Sequence, residues 1–283
     1  MSMNCDISHK KVKELLGLTM LVYEYGNTFK LKNDETVEQF LEKCNKEEIK
    51  LDDTCMKILN DFTECSPMGT VELFISDPDT DIQVGITKSE INKRVCVIFR
   101  GSESRSDWYY DLMITKKKIS NNVYVHSGFY YQLHTNNVYD NIVSKVNEIL
   151  IENPDYEVFV TGHSLGAALS TLFGYEFALT TEKKISVVSF ASPRVGNWNF
   201  KEDFEKRSNL CHFRITNNRD IITATPMYKY YHCGKNISLY DKNFVVSECN
   251  AISWFRYTIF YCWSVADHGV KLYYDRLLKN VWE

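Results

Sequence analysis

The spacing of apolar residues along this 283-residue chain changes several times, and each change predicts an element. Between residues 10 and 25, Val12, Leu15, Leu16, Leu18, Met20 and Val22 fall near helical spacing and predict a helix. Residues 35–66 are charged and read as mostly helical. The period then shortens: 83–87 and 94–100 are apolar runs on either side of a turn and predict paired strands. A helix is predicted over about 134–151, stopped near Asn153-Pro154, where proline cannot continue it. Residues 157–162 read as a buried strand, 167–178 as a helix, and 185–190 and 212–216 as further strands. A terminal helix follows Gly269. Strands alternating with helices imply a mostly parallel central sheet covered by helices on both faces. Ligands of such sheets bind beyond the carboxyl ends of the strands. Ser102, Ser164 and Asp220 each follow a predicted strand closely, which places all three at one sheet edge.

Gly162-His163-Ser164-Leu165-Gly166 sits between a predicted strand and a predicted helix. A serine on such a turn, with glycines two residues either side, matches the nucleophile elbow of an α/β-hydrolase; the bland reading is a glycine-rich turn. A serine hydroxyl needs a base to become a nucleophile, which directs attention to the seven histidines. His163 adjoins the serine and points elsewhere in an elbow. His212 lies inside a strand, and His9 and His134 read as surface residues of helices. The order nucleophile, acid, histidine removes His126 and leaves His232 and His268. His268, in the loop Asp267-His268-Gly269, is easier to aim than His232 in its strand-and-turn pattern. For the acid, Asp220 and Asp241 are both available by position, while Asp267 adjoins His268 and cannot easily face its ring. Oxyanion donors are expected from the Leu165 amide and from Ser102, after Gly101.

Composition narrows the class. Hydrophobic residues at 44% suffice for one large α/β domain across 1–283, with a mainly helical flank over 1–80. A net charge of −4 gives no electrostatic footprint for nucleic acid. Lys116-Lys117-Lys118 reads as a solvated loop, with anionic-lipid contact as the sharper alternative. The amino terminus lacks a signal-peptide core, and nine cysteines without paired short spacing read as reduced thiols. Together these lead to the expectation of a cytoplasmic or otherwise intracellular protein. No spacing suggests a metal site, no cofactor is expected, and no protein partner is predicted. Residues 251–266 are aromatic, but too short and too interrupted by Arg256 to span a bilayer. Trp254, Phe255, Phe260 and Trp263 either pack in the core or form an acyl-binding or membrane-facing wall.

Six stretches taken together resemble the class 3 (fungal-type) lipases. They are 99–108 around Phe99-Arg100-Gly101-Ser102, 125–129 around His126, the elbow, 189–197 through Pro193-Arg194-Val195-Gly196-Asn197, Asn217-Asn218-Arg219-Asp220, and Asp267-His268 with Tyr273. The resemblance covers about 82–275. It implies an α/β-hydrolase fold, a Ser164–Asp220–His268 triad and an oxyanion hole from Ser102 and Leu165. It also implies a short lid over about 103–113, where Trp108, Tyr109 and Tyr110 stand beside Asp107 and Asp111. His126 and His232 match motif histidines with supporting roles. One departure is that proline after Asp220 is delayed to Pro226, behind Ile221-Ile222-Thr223. The implied activity is that of a serine esterase or lipase acting on acylglycerols or related lipids, with transient contact to a lipid surface. A feruloyl-type carboxylesterase and a catalytically idle hydrolase-fold binding protein are the alternatives.

Overall fold

The computed structural model describes residues 5–28, 69–101, 115–248 and 263–282, with scattered positions between 39 and 60. Ser102, Trp108, Tyr109, Tyr110, Trp254 and Phe255, the 103–113 lid and most of the 35–66 and 251–266 stretches lie outside the described residues.

Eight strands form one sheet in the order β1-β2-β3-β6-β7-β8-β9-β10. These are β1 (Thr70–Asp77), β2 (Ile82–Ser89), β3 (Arg94–Phe99), β6 (Glu157–His163), β7 (Ile185–Phe190), β8 (Leu210–Asn217), β9 (Lys235–Leu239) and β10 (Phe244–Glu248). Pairing from β3 through β6, β7 and β8 to β9 is parallel, and the outer pairs are antiparallel. Central strands are buried on both faces, which is why β3 reads as the unbroken run Val95-Cys96-Val97-Ile98-Phe99. A separate hairpin pairs β4 (Lys116–Ser120) with β5 (Val123–His126).

Helices cover both faces, as the alternation predicts. Helix α1 (His9–Thr28) and α6 (Val270–Lys279) pack one face, where Leu15, Leu16 and Leu18 meet Ile98, Phe190 and Tyr273. Helices α2 (Ser127–His134), α3 (Val138–Glu152) and α4 (Leu165–Ala178) pack the other, with Val146, Leu169 and Phe173 against Val97 and Val160. A short α5 (Trp198–Glu205) leads from β7 towards β8, capped by the Asn197 side chain. Beneath α1, Arg94 is ion-paired with Glu14, both side chains buried.

Four sequence expectations change. Lys116–Lys118 is strand β4 rather than a loop: its pairing with Tyr124, Val125 and His126 is met by backbone groups, which lysines do not oppose. His9 is buried, 2.7 Å from the Leu277 carbonyl, because α6 lies across the start of α1. His134 is half-buried and paired with Glu176 at 2.7 Å. The thiols are not all reduced: Cys5 and Cys211 form a disulfide across a separation of 206 residues. No short spacing could signal this bond, since it depends on the chain before α1 lying against β8.

Two buried imidazoles complete the far side of the sheet. His212 in β8 lies 2.9 Å from Ser189 Oγ, and His232 donates from Nε2 to the Thr223 carbonyl at 2.7 Å. Burial, and after it the Arg214 charge, lowers the pKa of both well below 6.5. Both are therefore neutral in the fold and take up a proton on unfolding only below pH 6.5. Their contribution is complete above 6.5 and is lost as pH falls below it, by about 1.4 kcal/mol per pH unit for each imidazole. Denaturant titrations at neutral pH and one unit or more below 6.5 should show that loss; equal midpoints at both would contradict it. Reducing the Cys5–Cys211 bond should cost about 2–4 kcal/mol, because it releases a long loop in the unfolded chain. Thermal unfolding with and without a thiol reductant, using Cys5→Ser as the second arm, measures it.

Candidate active site

At the end of β6 the chain turns abruptly into α4, and Ser164 occupies the turn at φ 58° and ψ −122°. A non-glycine residue there is strained, and only dense surroundings hold it. Those surroundings demand glycine on both sides. A Cβ on Gly162 would strike the Gly166 carbonyl, and one on Gly166 would strike the Phe99 carbonyl. The Ser164 amide donates to the Phe190 carbonyl at 3.0 Å, and its carbonyl accepts from the Ala167 amide at 3.1 Å. Leu165 is the first residue of α4. An amide at that position has no intrahelical acceptor and faces outward at the positive end of the helix dipole.

His268 closes a single turn of 3-10 helix (Ala266–His268) just before α6. Its Nε2 lies 2.9 Å from Ser164 Oγ, and its Nδ1 lies 3.0 Å from each oxygen of Asp220. A carboxylate accepts only, so Nδ1 carries the proton and Nε2 is left to accept from the serine hydroxyl. Asp220, fully buried, also accepts from the Ile222 amide at 3.0 Å and from the Tyr273 hydroxyl at 2.7 Å. Tyr273 in turn accepts from the Asn217 amide at 2.9 Å. Burial, and then the Asp220 charge, push the Tyr273 phenol well above its ordinary range, so it remains a donor. The loop carrying His268 is tied to the loop carrying Asp220 by the Ser264 amide on the Arg219 carbonyl, at 2.7 Å, and by Asn217 Nδ2 on the Asp267 carbonyl, at 2.8 Å.

The other candidates lie elsewhere. Asp241 and Asp267 both pair with Arg276, at 3.1 and 2.7 Å, away from the imidazole. His232 supports the loop beyond Asp220 through Thr223. The buried His126 ring lies 4.3 Å from the Phe129 ring, centroid to centroid. Among the described residues, no cluster of three or more His, Cys, Asp or Glu is placed to hold a metal ion. Leu165 stands beside Ser164, while Ser102 is outside the described residues.

Two contributors escaped the sequence. His163 is not the base paired with Ser164, but its ring does not point elsewhere as the sequence suggested: it lies 4.8 Å from the His268 ring, centroid to centroid. Its Nε2 donates to the His268 carbonyl at 3.0 Å, and its Nδ1 accepts from the Tyr23 hydroxyl at 2.8 Å. Helix α1 is thereby linked to the backbone of the base. Gly101 explains itself in the same place, because a Cβ there would collide with the Tyr23 hydroxyl. His163 was visible in the elbow motif; nothing near Tyr23 marks it.

Tyr273→Phe should lower stability by about 1–3 kcal/mol, by leaving the Asn217 amide unmet, and should lower kcat about tenfold at unchanged KM. Tyr23→Phe should lower kcat by a smaller factor, again without moving KM. Steady-state kinetics beside denaturant titration separate the two effects; a change in KM alone would show that these hydroxyls do not position the base.

Residues 96–230 match the class 3 lipase family model. Secreted mono- and diacylglycerol lipase A of Penicillium cyclopium is 31% identical over 162 residues, covering 56% of this chain and 52% of that protein. The chloroplastic phospholipase A(1) DAD1 of Arabidopsis thaliana is 33% identical over 158 residues, covering 49% of this chain and 35% of that protein. The chain thus spans about half the length of the first relative and about a third of the second. Among solved structures, a mutant form of MDLA from Penicillium cyclopium superposes with a TM-score of 0.76 at 22% identity, over 97% of this chain and 99% of that one. That likeness is one of α/β-hydrolase fold. The matched region holds Ser164 and Asp220, while His268 reaches them from beyond it. Residues 96–230 of this chain are therefore similar to the class 3 lipases, and the chain has an α/β-hydrolase fold.

Proposed function

We propose that this protein is a serine hydrolase of carboxylic esters, acting on acylglycerols or related lipid esters. The observation that carries this reading is the continuous hydrogen-bonded line from Ser164 through His268 to Asp220, with the serine raised on a strained elbow. In the reaction, Ser164 Oγ attacks the ester carbonyl carbon while His268 Nε2 takes its proton. Asp220 holds the imidazole in the required tautomer and stabilises the imidazolium that forms. The oxyanion accepts from the Leu165 amide, with Ser102 as the second donor. Collapse of the tetrahedral adduct expels the alcohol, which takes its proton from His268 Nε2. Water then repeats the sequence on the acyl-enzyme, returning the acid and free Ser164.

The family that the central region resembles and the names of its relatives support lipid esters as the substrate class. A complete triad also argues against an idle binding protein, which has no use for a strained serine.

Ser164→Ala should lower turnover by about 10⁶-fold while leaving the fold intact. A fluorophosphonate should label the wild-type protein once, at Ser164, and the variant not at all. Near-normal esterase activity in the variant would remove Ser164 from the reaction. Fatty-acyl esters of increasing length, assayed beside a feruloyl ester, decide the substrate: rising kcat/KM with chain length fits a lipase, and a preference for the feruloyl ester does not.

A further inference from the structure

The chain carries 37 acidic residues, yet none falls between residues 112 and 139 or between 221 and 240. The structure brings these two acid-free stretches together. The β4–β5 hairpin pairs with Gly196 through Val125, and Gly196 pairs in turn with Tyr231. The Tyr230 hydroxyl donates to the Thr115 carbonyl at 3.1 Å, directly before β4. Lysines gather along that seam. Lys116 Nζ lies 4.4 Å from the centre of the Tyr230 ring, and Lys117 Nζ lies 5.8 Å from that of Tyr131. Lys118 and Lys229 are exposed. Lys229 is near enough that, after burial, its charge is the second cause of a lowered Lys116 pKa.

Apolar and aromatic side chains stand among these cations. Tyr228 is 61% exposed, Tyr131 57% and Met227 42%. Tyr228 also lies under Lys229, with Nζ 5.0 Å from its ring centre. Tyrosine is amphipathic and settles at the headgroup level of a membrane, where its ring is apolar and its hydroxyl wet. Lysines at the same level meet anionic headgroups. The surface is close along the chain to the candidate active site: Met227 and Tyr228 follow soon after the turn Ile221–Ala224, which is capped by Asp220.

We propose that the hairpin and the 227–230 segment form a docking surface for an anionic lipid interface, seated by the four lysines with Tyr228, Tyr131 and Met227 entering the headgroup layer. This deepens the lipid-ester reading and rests on it for its purpose, because it brings the Asp220 side of the site to the phase that holds the ester. The chain as a whole is net −4, so the attraction is local and orients the molecule. Each lysine close to an anionic leaflet raises affinity by roughly fivefold, and the gain is screened by salt.

Binding is measured on Ser164→Ala protein by co-sedimentation with phosphatidylcholine vesicles, with and without phosphatidylglycerol. The expected result is association that depends on phosphatidylglycerol, weakens as salt is raised, and falls at least about tenfold in Lys118→Glu/Lys229→Glu. The same double substitution in the active protein should leave hydrolysis of a soluble short-chain ester unchanged, which also certifies the fold, and Lys118→Arg/Lys229→Arg should retain binding. Equal binding to both vesicle types, or no response to charge reversal, overturns the proposal. So does equally tight binding to heparin, which would assign the patch to polyanions in general. Because the vesicle measurement uses an inert serine, it stands apart from the hydrolase reading: absence of esterase activity in the wild type refutes that reading and leaves the binding result to be judged alone.

Discussion

Everything at the candidate site depends on a backbone conformation that serine does not adopt willingly. Ser164 is held at φ 58° because β6 ends and α4 begins within one residue, and because Gly162 and Gly166 let two carbonyls approach where a Cβ would stand. The strain is offset by packing on every side: β3, β6 and β7 below, α4 behind, and the Phe190 carbonyl on the serine amide. A looser elbow would let the hydroxyl sink towards the sheet. The imidazole would then have nothing to meet.

The base is supported chiefly through its surroundings. Asp220 is fixed by three donors, and the loop before α6 is tied back to the end of β8 by Asn217 and to the turn after it by Arg219. Helix α1 adds a further hold, through Tyr23 and His163, on the carbonyl of His268 itself. This gives the amino-terminal helix a place in the site's architecture as well as in the core. The helix is anchored before its start by Cys5–Cys211 and along its length by Leu15, Leu16 and Leu18.

What the sequence disclosed follows from how local each signal is. The parallel strands β3, β6, β7 and β8 are legible because burial on both faces makes them continuous apolar runs. The serine is legible because its turn demands glycines at fixed offsets. Strands β1, β9 and β10 are edge or near-edge strands with mixed polarity, and no period distinguishes them from loops. β4 is harder still, since three consecutive lysines obscure a strand whose pairing lies in its backbone. Asp220 could not be separated from Asp241 by position, because the difference arises from the partner each meets across the fold: His268 for one, Arg276 for the other. Tyr23 and the Cys5–Cys211 bond share that character. Both join residues far apart in the chain, and only the packing of α1 creates them.

The contact between His163 and residue 268 has a consequence for how such a protein can diverge. It grips a peptide carbonyl, which every amino acid possesses, so the loop's shape is insulated from the identity of the side chain it carries. A descendant could exchange its imidazole for another group, surrender turnover, and inherit the same crevice ready for recognition alone.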